Sequence, residues 1–291
     1  MQQWGAERIG ELAALVAMAS PEDDLTADEL LTALYDQPGM VLGPSDGAGV
    51  VAVGVGRDAD GALVAAVRLV AVHPDRRGEG IGRALLDAAE EWAGGRGAER
   101  IELGGLLPFP LWTGVEPAGA LAHLAVSSGY SEGGSRRSLT VPAAFRAETP
   151  TGVVIRRAVR DDDVTAVTLA VAAQWPRRSD EVARALDHGT CHAAFVATVA
   201  DPAGERGDVI GVGCHSVTRA TWVGPLVVRP DDRGRGVGHA LLAQICRDLM
   251  IADFPFAEVP GVTDEAAEAF LVAAGGTVVR THLVLAKSLP E

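Results

Sequence analysis

At 291 residues the chain is long enough for two domains of ordinary size, each with its own core. A composition of 48% hydrophobic and 22% charged residues, with 35 Gly and 16 Pro in no fixed period, excludes fibrous and bulk-disordered classes. The net charge of −14 sets the surface against phosphate backbones, so nucleic acid is not an expected partner, whereas protonated amines are attracted. Cys191, Cys214 and Cys246 are odd in number and lack paired spacing, which predicts neither a disulfide framework nor a structural metal. Glu7, Arg8 and Glu11 interrupt the first apolar stripe, and no run of 18 apolar residues occurs. A soluble cytoplasmic monomer or homodimer, with no leader and no membrane contact, is the expectation.

Periodicity places helices over 6–19 and 26–35, then extended runs near 40–43, 50–57 and 63–72, with hairpin-turn residues in 57–61. A helix over 80–94, a strand near 100–103, a helix over 117–128 and a strand near 137–141 complete the first half. Pro142, Pro150 and Gly152 punctuate a stretch with no period, which predicts an N-terminal domain over 1–142, a linker over 143–151 and a C-terminal domain over 152–291. The second half opens on an alternating run near 153–159, and Asp161, Asp162 and Asp163 offer N-cap chemistry to a helix over 162–174. A helix over 179–187, strands near 192–200, 209–217 and 221–228, and a helix over 236–250 follow. The class is α/β in its α+β form.

The halves repeat one another. Val70-Ala71-Val72-His-Pro-Asp-Arg-Arg77-Gly78-Glu79-Gly80-Ile81-Gly82-Arg83 matches Leu226-Val227-Val228-Arg-Pro-Asp-Asp-Arg233-Gly234-Arg235-Gly236-Val237-Gly238-His239 at an offset of about 156 positions. A weaker match, offset by about 147, relates the segment after Pro108 to that after Phe254. In each copy a strand turns through glycines into a helix, so free amides converge at a helix N-terminus and favour an anion, with Arg77 and Arg233 beside it. The dinucleotide pattern G-x-G-x-x-G fails for want of a third glycine, and no Lys follows to make a nucleoside-triphosphate loop.

The motif Arg-x-x-Gly-x-Gly, at Arg77 to Gly82 and Arg233 to Gly238, resembles the acyl-CoA pyrophosphate loop of the GNAT acyltransferase superfamily. The resemblance covers nearly the whole chain and implies two tandem GNAT-like domains, each a mixed, mostly antiparallel sheet flanked by helices. It implies acetyl-CoA, or another acyl-CoA, as cosubstrate. The pantetheine arm would run beside Val70, Ala71 and Val72 or beside Leu226, Val227 and Val228, and the pyrophosphate would take the amides of 78–83 or 234–239. In the family a splayed strand offers an N–H to the thioester oxygen, and a Tyr four residues before a helix-ending Gly often protonates the sulfur. Here Ala125 and Leu271 occupy those positions.

For a general base the strands offer His215 and Glu258 in the second half and Glu102 in the first. Cys214 adjoins His215, but strand neighbours face opposite ways, which disfavours a Cys–His pair. Phe109, Trp112, Trp175 and Trp222 are candidate walls of an acceptor pocket, and 108–115 a candidate loop over it. The expected activity is transfer of acetyl to a primary amine of a small molecule by direct attack in a ternary complex. One domain is expected to be catalytic and one degenerate, with the C-terminal half favoured on His215, Arg235 and Glu258. A non-catalytic acyl-CoA sensor or scaffold and a protein N-acetyltransferase are the alternatives.

Overall fold

The computed structural model describes residues 1–36, 38–58, 61–104, 111–205 and 207–290. They divide into two compact units, Met1–Arg136 with Thr281–Glu291, and Arg137–Arg280. The chain leaves the first unit within one long strand and returns to it within another.

The first unit begins with β1 (Gln2–Gln3), α1 (Ile9–Ala19) and α2 (Ala27–Tyr35). Thr26 starts α2 where the sequence places it, through a capping box with Glu29 at 3.2 and 3.0 Å. Next come β2 (Gly39–Gly43), β3 (Gly49–Arg57), β4 (Leu63–Val72), α3 (Ile81–Gly94), β5 (Arg100–Leu103) and α4 (Ala120–Ser127). Part of the expected 57–61 turn, at 59–60, lies outside the described residues. Strand β6 (Ser131–Pro142) starts six residues before its predicted 137, because Gly133 and Gly134 break the apolar alternation that marks a strand in sequence. Neighbours in the first unit's sheet run β1-β2-β3-β4-β5, then Leu285–Ser288 of β12 (Thr277–Ser288). All pairs are antiparallel except β4 with β5.

Alternation along the strands divides the core between two faces. Val51, Val53, Ile101 and Leu103 pack with Leu85 and Leu86 of α3, whereas Val50, Ala52, Leu69 and Ala71 pack with Leu12, Val16 and Leu30 of α1 and α2.

The second unit holds β7 (Val153–Arg157), α5 (Asp161–Gln174), α6 (Ser179–Asp187), β8 (Cys191–Val196), β9 (Val209–His215), β10 (Val223–Val228), α7 (Val237–Ile251), β11 (Phe256–Val262) and α8 (Glu265–Ala273). Strands β7 to β10 form an antiparallel sheet in sequence order, and β11 pairs with residues 137–142 of β6. The expected aspartate cap is replaced. Arg160 occupies the N-cap, and Asp163 is buried in a bidentate pair with Arg156 at 2.9 and 2.6 Å. Two charge-assisted bonds outweigh one cap. Leu241, Leu242, Ile245 and Cys246 seat α7 on this unit's strands. Among the described residues, no helix is long and apolar enough to cross a membrane.

Candidate cofactor and acceptor site

In the first unit β4 and β5 are paired from Val64↔Arg100 to Val67↔Leu103 and then part. Gly104 still donates its N–H to the Val67 carbonyl at 3.4 Å, so Val67 faces β5. The partner of β3 jumps from Val67 to Leu69, which makes Arg68 the extra residue of a bulge. Beyond it, His73 donates to the Ala48 carbonyl at 2.9 Å and so faces the β3 side. Counting back by alternation, Ala71 and Leu69 face β3, while Val70 and Val72 turn their N–H and C=O to the open edge.

That edge leads into the glycine loop. Gly78 and Gly80 have φ of +84° and +82°, and a Cβ on either would meet nothing within 4 Å. Ala84 is the first helical residue with a backbone acceptor, on Gly80 at 3.1 Å, and among the described residues no hydrogen bond is recorded from the amides of 78–83. A cradle of open amides at a helix N-terminus suits a pyrophosphate. The flanking side chains are tied back: Glu79 accepts from Arg76 at 2.8 Å, Arg77 donates to Ala19 at 2.9 Å, and Arg83 donates to Ser127 at 2.9 Å.

The second unit repeats this backbone. Trp222 and Glu258 form a parallel bridge before β10 and β11 separate, and Glu258 donates its N–H to the Thr221 carbonyl at 2.8 Å. Register shifts between Val223 and Leu226, and Arg229 donates to the Ile210 carbonyl at 2.8 Å, so Leu226 and Val228 face the open edge and Val227 faces β9. Gly234 and Gly236 have φ of +73° and +87°, and among the described residues no hydrogen bond is recorded from the amides of 234–239. Arg235 is paired with the buried Asp232 at 2.5 Å, Arg233 donates to Val228 at 3.1 Å, and His239 stacks on Phe270 at 4.4 Å. Val237 is buried, and Ile81 packs against the first unit's core.

Beside the first unit's edge stands a polar group of residues that sequence reasoning mostly missed. Arg68 is 7% exposed, donates to the Ala33 carbonyl at 3.2 Å, leaves its Nε buried without a partner, and is brought by burial to a pKa of about 10. Arg136 donates to the carbonyls of Gly104 at 3.0 Å and Thr113 at 3.5 Å; burial lowers its pKa, while the charge of Glu102 opposes that shift. His282 and Thr113 are both buried and hydrogen-bonded, Nδ1 to Oγ1, at 3.1 Å. Because Ile101, Leu103, Leu283 and Leu285 pack toward α3, Glu102 and His282 lie on the opposite face. Of this group only Glu102 is a sequence candidate, and it also accepts from Arg100 at 3.1 Å. His282 and Arg136 carry no local signal, because they come from strands remote in sequence.

His215 is elsewhere. It is 6% exposed beneath α7, where its Nε2 lies 3.3 Å from Asp248, and Cys214 beside it faces the other way, opposite Cys191. Burial opposes ionisation of Asp248, but hydrogen bonds from His192 and His215 and the nearby charges of His192 and Arg157 hold its pKa far below the usual carboxylate range. Trp112 packs against the first unit's core, Trp175 follows α5, and Trp222 is buried in the second unit. Phe109, with 108–110 of the expected loop, lies outside the described residues. Tyr130 is buried, and burial together with the charge of Glu90 raises its pKa, which unsuits it to protonate a thiolate.

The family model described as the acetyltransferase (GNAT) family matches residues 6–108. No curated protein matches the chain in sequence. Three solved structures share the fold. A GCN5-related glucosamine N-acetyltransferase region of a fungal multi-domain β-N-acetylglucosaminidase is 18% identical with a TM-score of 0.75; the match covers 98% of this chain and 38% of that one. A tandem GNAT protein from the clavulanic acid biosynthesis pathway is 19% identical with a TM-score of 0.71, over 99% and 98% of the two chains. A GCN5-related N-acetyltransferase from Sphaerobacter thermophilus is 21% identical with a TM-score of 0.69, over 100% and 95%. The chain therefore shares its fold with a tandem GNAT protein, and residues 6–108 match the model of the GNAT acetyltransferase family.

Proposed function

We propose that the protein is an acetyl-CoA-dependent N-acetyltransferase acting on the primary amine of a small molecule, and that its N-terminal unit performs the transfer. One observation carries this reading: in that unit an open strand edge, Val70 and Val72, runs directly into the uncommitted amides of 78–83, beside Arg68, Glu102, Arg136 and His282. The amides of 78–83 would hold the pyrophosphate, and the edge would pair with the pantetheine arm. The Val70 N–H is then the donor for charge developing on the thioester oxygen during direct amine attack. Glu102 and His282, on the face away from α3, are the candidates to take the amine's proton. The preference reverses the sequence expectation of a C-terminal catalytic half, since His215 is buried beneath α7.

Val70→Pro removes one N–H from the open edge without touching the ladder to β3, and Leu226→Pro does the same in the second unit. Calorimetry with acetyl-CoA and a CoA-release assay over a panel of small amines are run on both. The reading expects turnover lost in the first variant and kept in the second. Loss only with Leu226→Pro would move the chemistry to the C-terminal unit. Binding without CoA release from any amine would favour a sensor, in keeping with the missing tyrosines at Ala125 and Leu271.

A further inference from the structure

We propose that His192, His215 and Asp248 form a binding site for one divalent transition-metal ion of the zinc class, which clamps α7 to β8 and β9. Imidazole nitrogens and a carboxylate oxygen from three elements lie within 4.8 Å of one another. His192 Nε2 is 2.7 Å and His215 Nε2 is 3.3 Å from Asp248 Oδ2. Ligands of a tetrahedral ion with bonds of about 2.0–2.1 Å are about 3.3 Å apart, so small rotations of the side chains complete the site. Both histidines are buried, at 4% and 6% exposure.

The hydrogen-bond chain around His215 gives the second argument. Ser216 Oγ donates its single proton to the Ala220 carbonyl at 2.5 Å, so at 2.9 Å it accepts from His215 Nδ1–H. With Nδ1 held by Ser216, Nε2 is the ring nitrogen that His215 turns toward Asp248 and can offer to an ion. A histidine whose far nitrogen is fixed by a hydroxyl is the usual arrangement behind a metal ligand. Arg157, half-exposed on β7 and opposite His192 in register, rests on the same Oδ2 at 2.5 Å; it is the group that an entering ion displaces. The sequence expectation of no metal rested on local spacing, which cannot register ligands 23 and 33 positions apart, at 192, 215 and 248.

The test titrates chelator-treated full-length protein with Co²⁺ and then Zn²⁺, followed by visible absorption and by thermal midpoint. One Co²⁺ per chain, with the intense bands of a four-coordinate site and displacement by Zn²⁺, is the expected result. His192→Gln, His215→Gln and Asp248→Asn should each weaken binding by about tenfold or more. Arg157→Gln should tighten it, since a competing cation is gone. Ser216→Ala, on the rim of the cluster, should weaken it about tenfold and serves if the buried variants fail to fold. No stoichiometric binding at micromolar metal, or binding indifferent to His192→Gln and Ser216→Ala, overturns the proposal.

Discussion

Where the strand of the N-terminal unit bulges, Arg68 sends a buried guanidinium to the Ala33 carbonyl; the matching residues of the C-terminal unit are Gly224 and Pro225, with nothing comparable to bury. Both strands still present an edge through alternate residues, and both enter a loop with two left-handed glycines and uncommitted amides. The backbone device is thus duplicated, while the polar side chains beside it differ. Glu102, Arg136 and His282 flank the first edge, whereas Glu258 bridges at the start of the second and the remaining ionisable cluster is under α7. A phosphate cradle needs only backbone geometry and survives side-chain drift; proton transfer needs placed side chains and does not.

The largest expected effect comes from Val70→Pro, a fall of roughly 10²–10³ in kcat, the usual cost of one lost oxyanion donor, against little change for Leu226→Pro. Equal losses in steady-state assays would erase the contrast between the units. Gly80→Val and Gly236→Val each force a branched side chain to positive φ, at about 1–3 kcal/mol, and each fills one cradle. Titration of acetyl-CoA should fall from two sites to one in either variant, and only Gly80→Val should abolish turnover. Arg68→Met removes a buried polar atom with no partner, so stability in thermal melts should hold or rise, by about 1 kcal/mol at most, while turnover drops. A stable and fully active variant would remove Arg68 from the site.

The smallest effect separates the units by acid. Hydrogen bonds from Arg156 hold the pKa of Asp163 below its ordinary value against the opposing effect of burial. A depressed folded-state pKa stabilises above the unfolded value of about 3.9, and that stabilisation fades as pH falls toward the folded value. Asp163→Asn should therefore cost the second unit about 1–3 kcal/mol near neutrality, and the gap from wild type should close below about pH 4 in urea melts.

Much of this was legible in the sequence. The paired loops, the start of α2 near Thr26 and the limits of β4 follow from local chemistry that the rest of the molecule does not override. The passage between units was not, because it falls inside the hydrogen-bonded strands β6 and β12, whereas Pro and Gly punctuation drew the expected boundary to 143–151. Nor was the orientation of His215: alternation shows that it opposes Cys214, but only packing decides which face α7 covers. Arg136 and His282 needed the return of the last strand, a contact of high sequence separation that no window of the chain contains.

Arg68 also acts as a half-period shift in the phase of its strand. Upstream the odd-numbered residues, ending with Val67, face β5; downstream the even-numbered Val70 and Val72 face outward. Flattening that bulge with every residue kept would instead turn the amides of Val70 and Val72 toward β3 and away from the open edge. The unit can thus tolerate many substitutions in β4, but one residue gained or lost between the bulge and the loop would swap which amides face outward. The C-terminal unit, whose register slips at the matching place, carries the same frame.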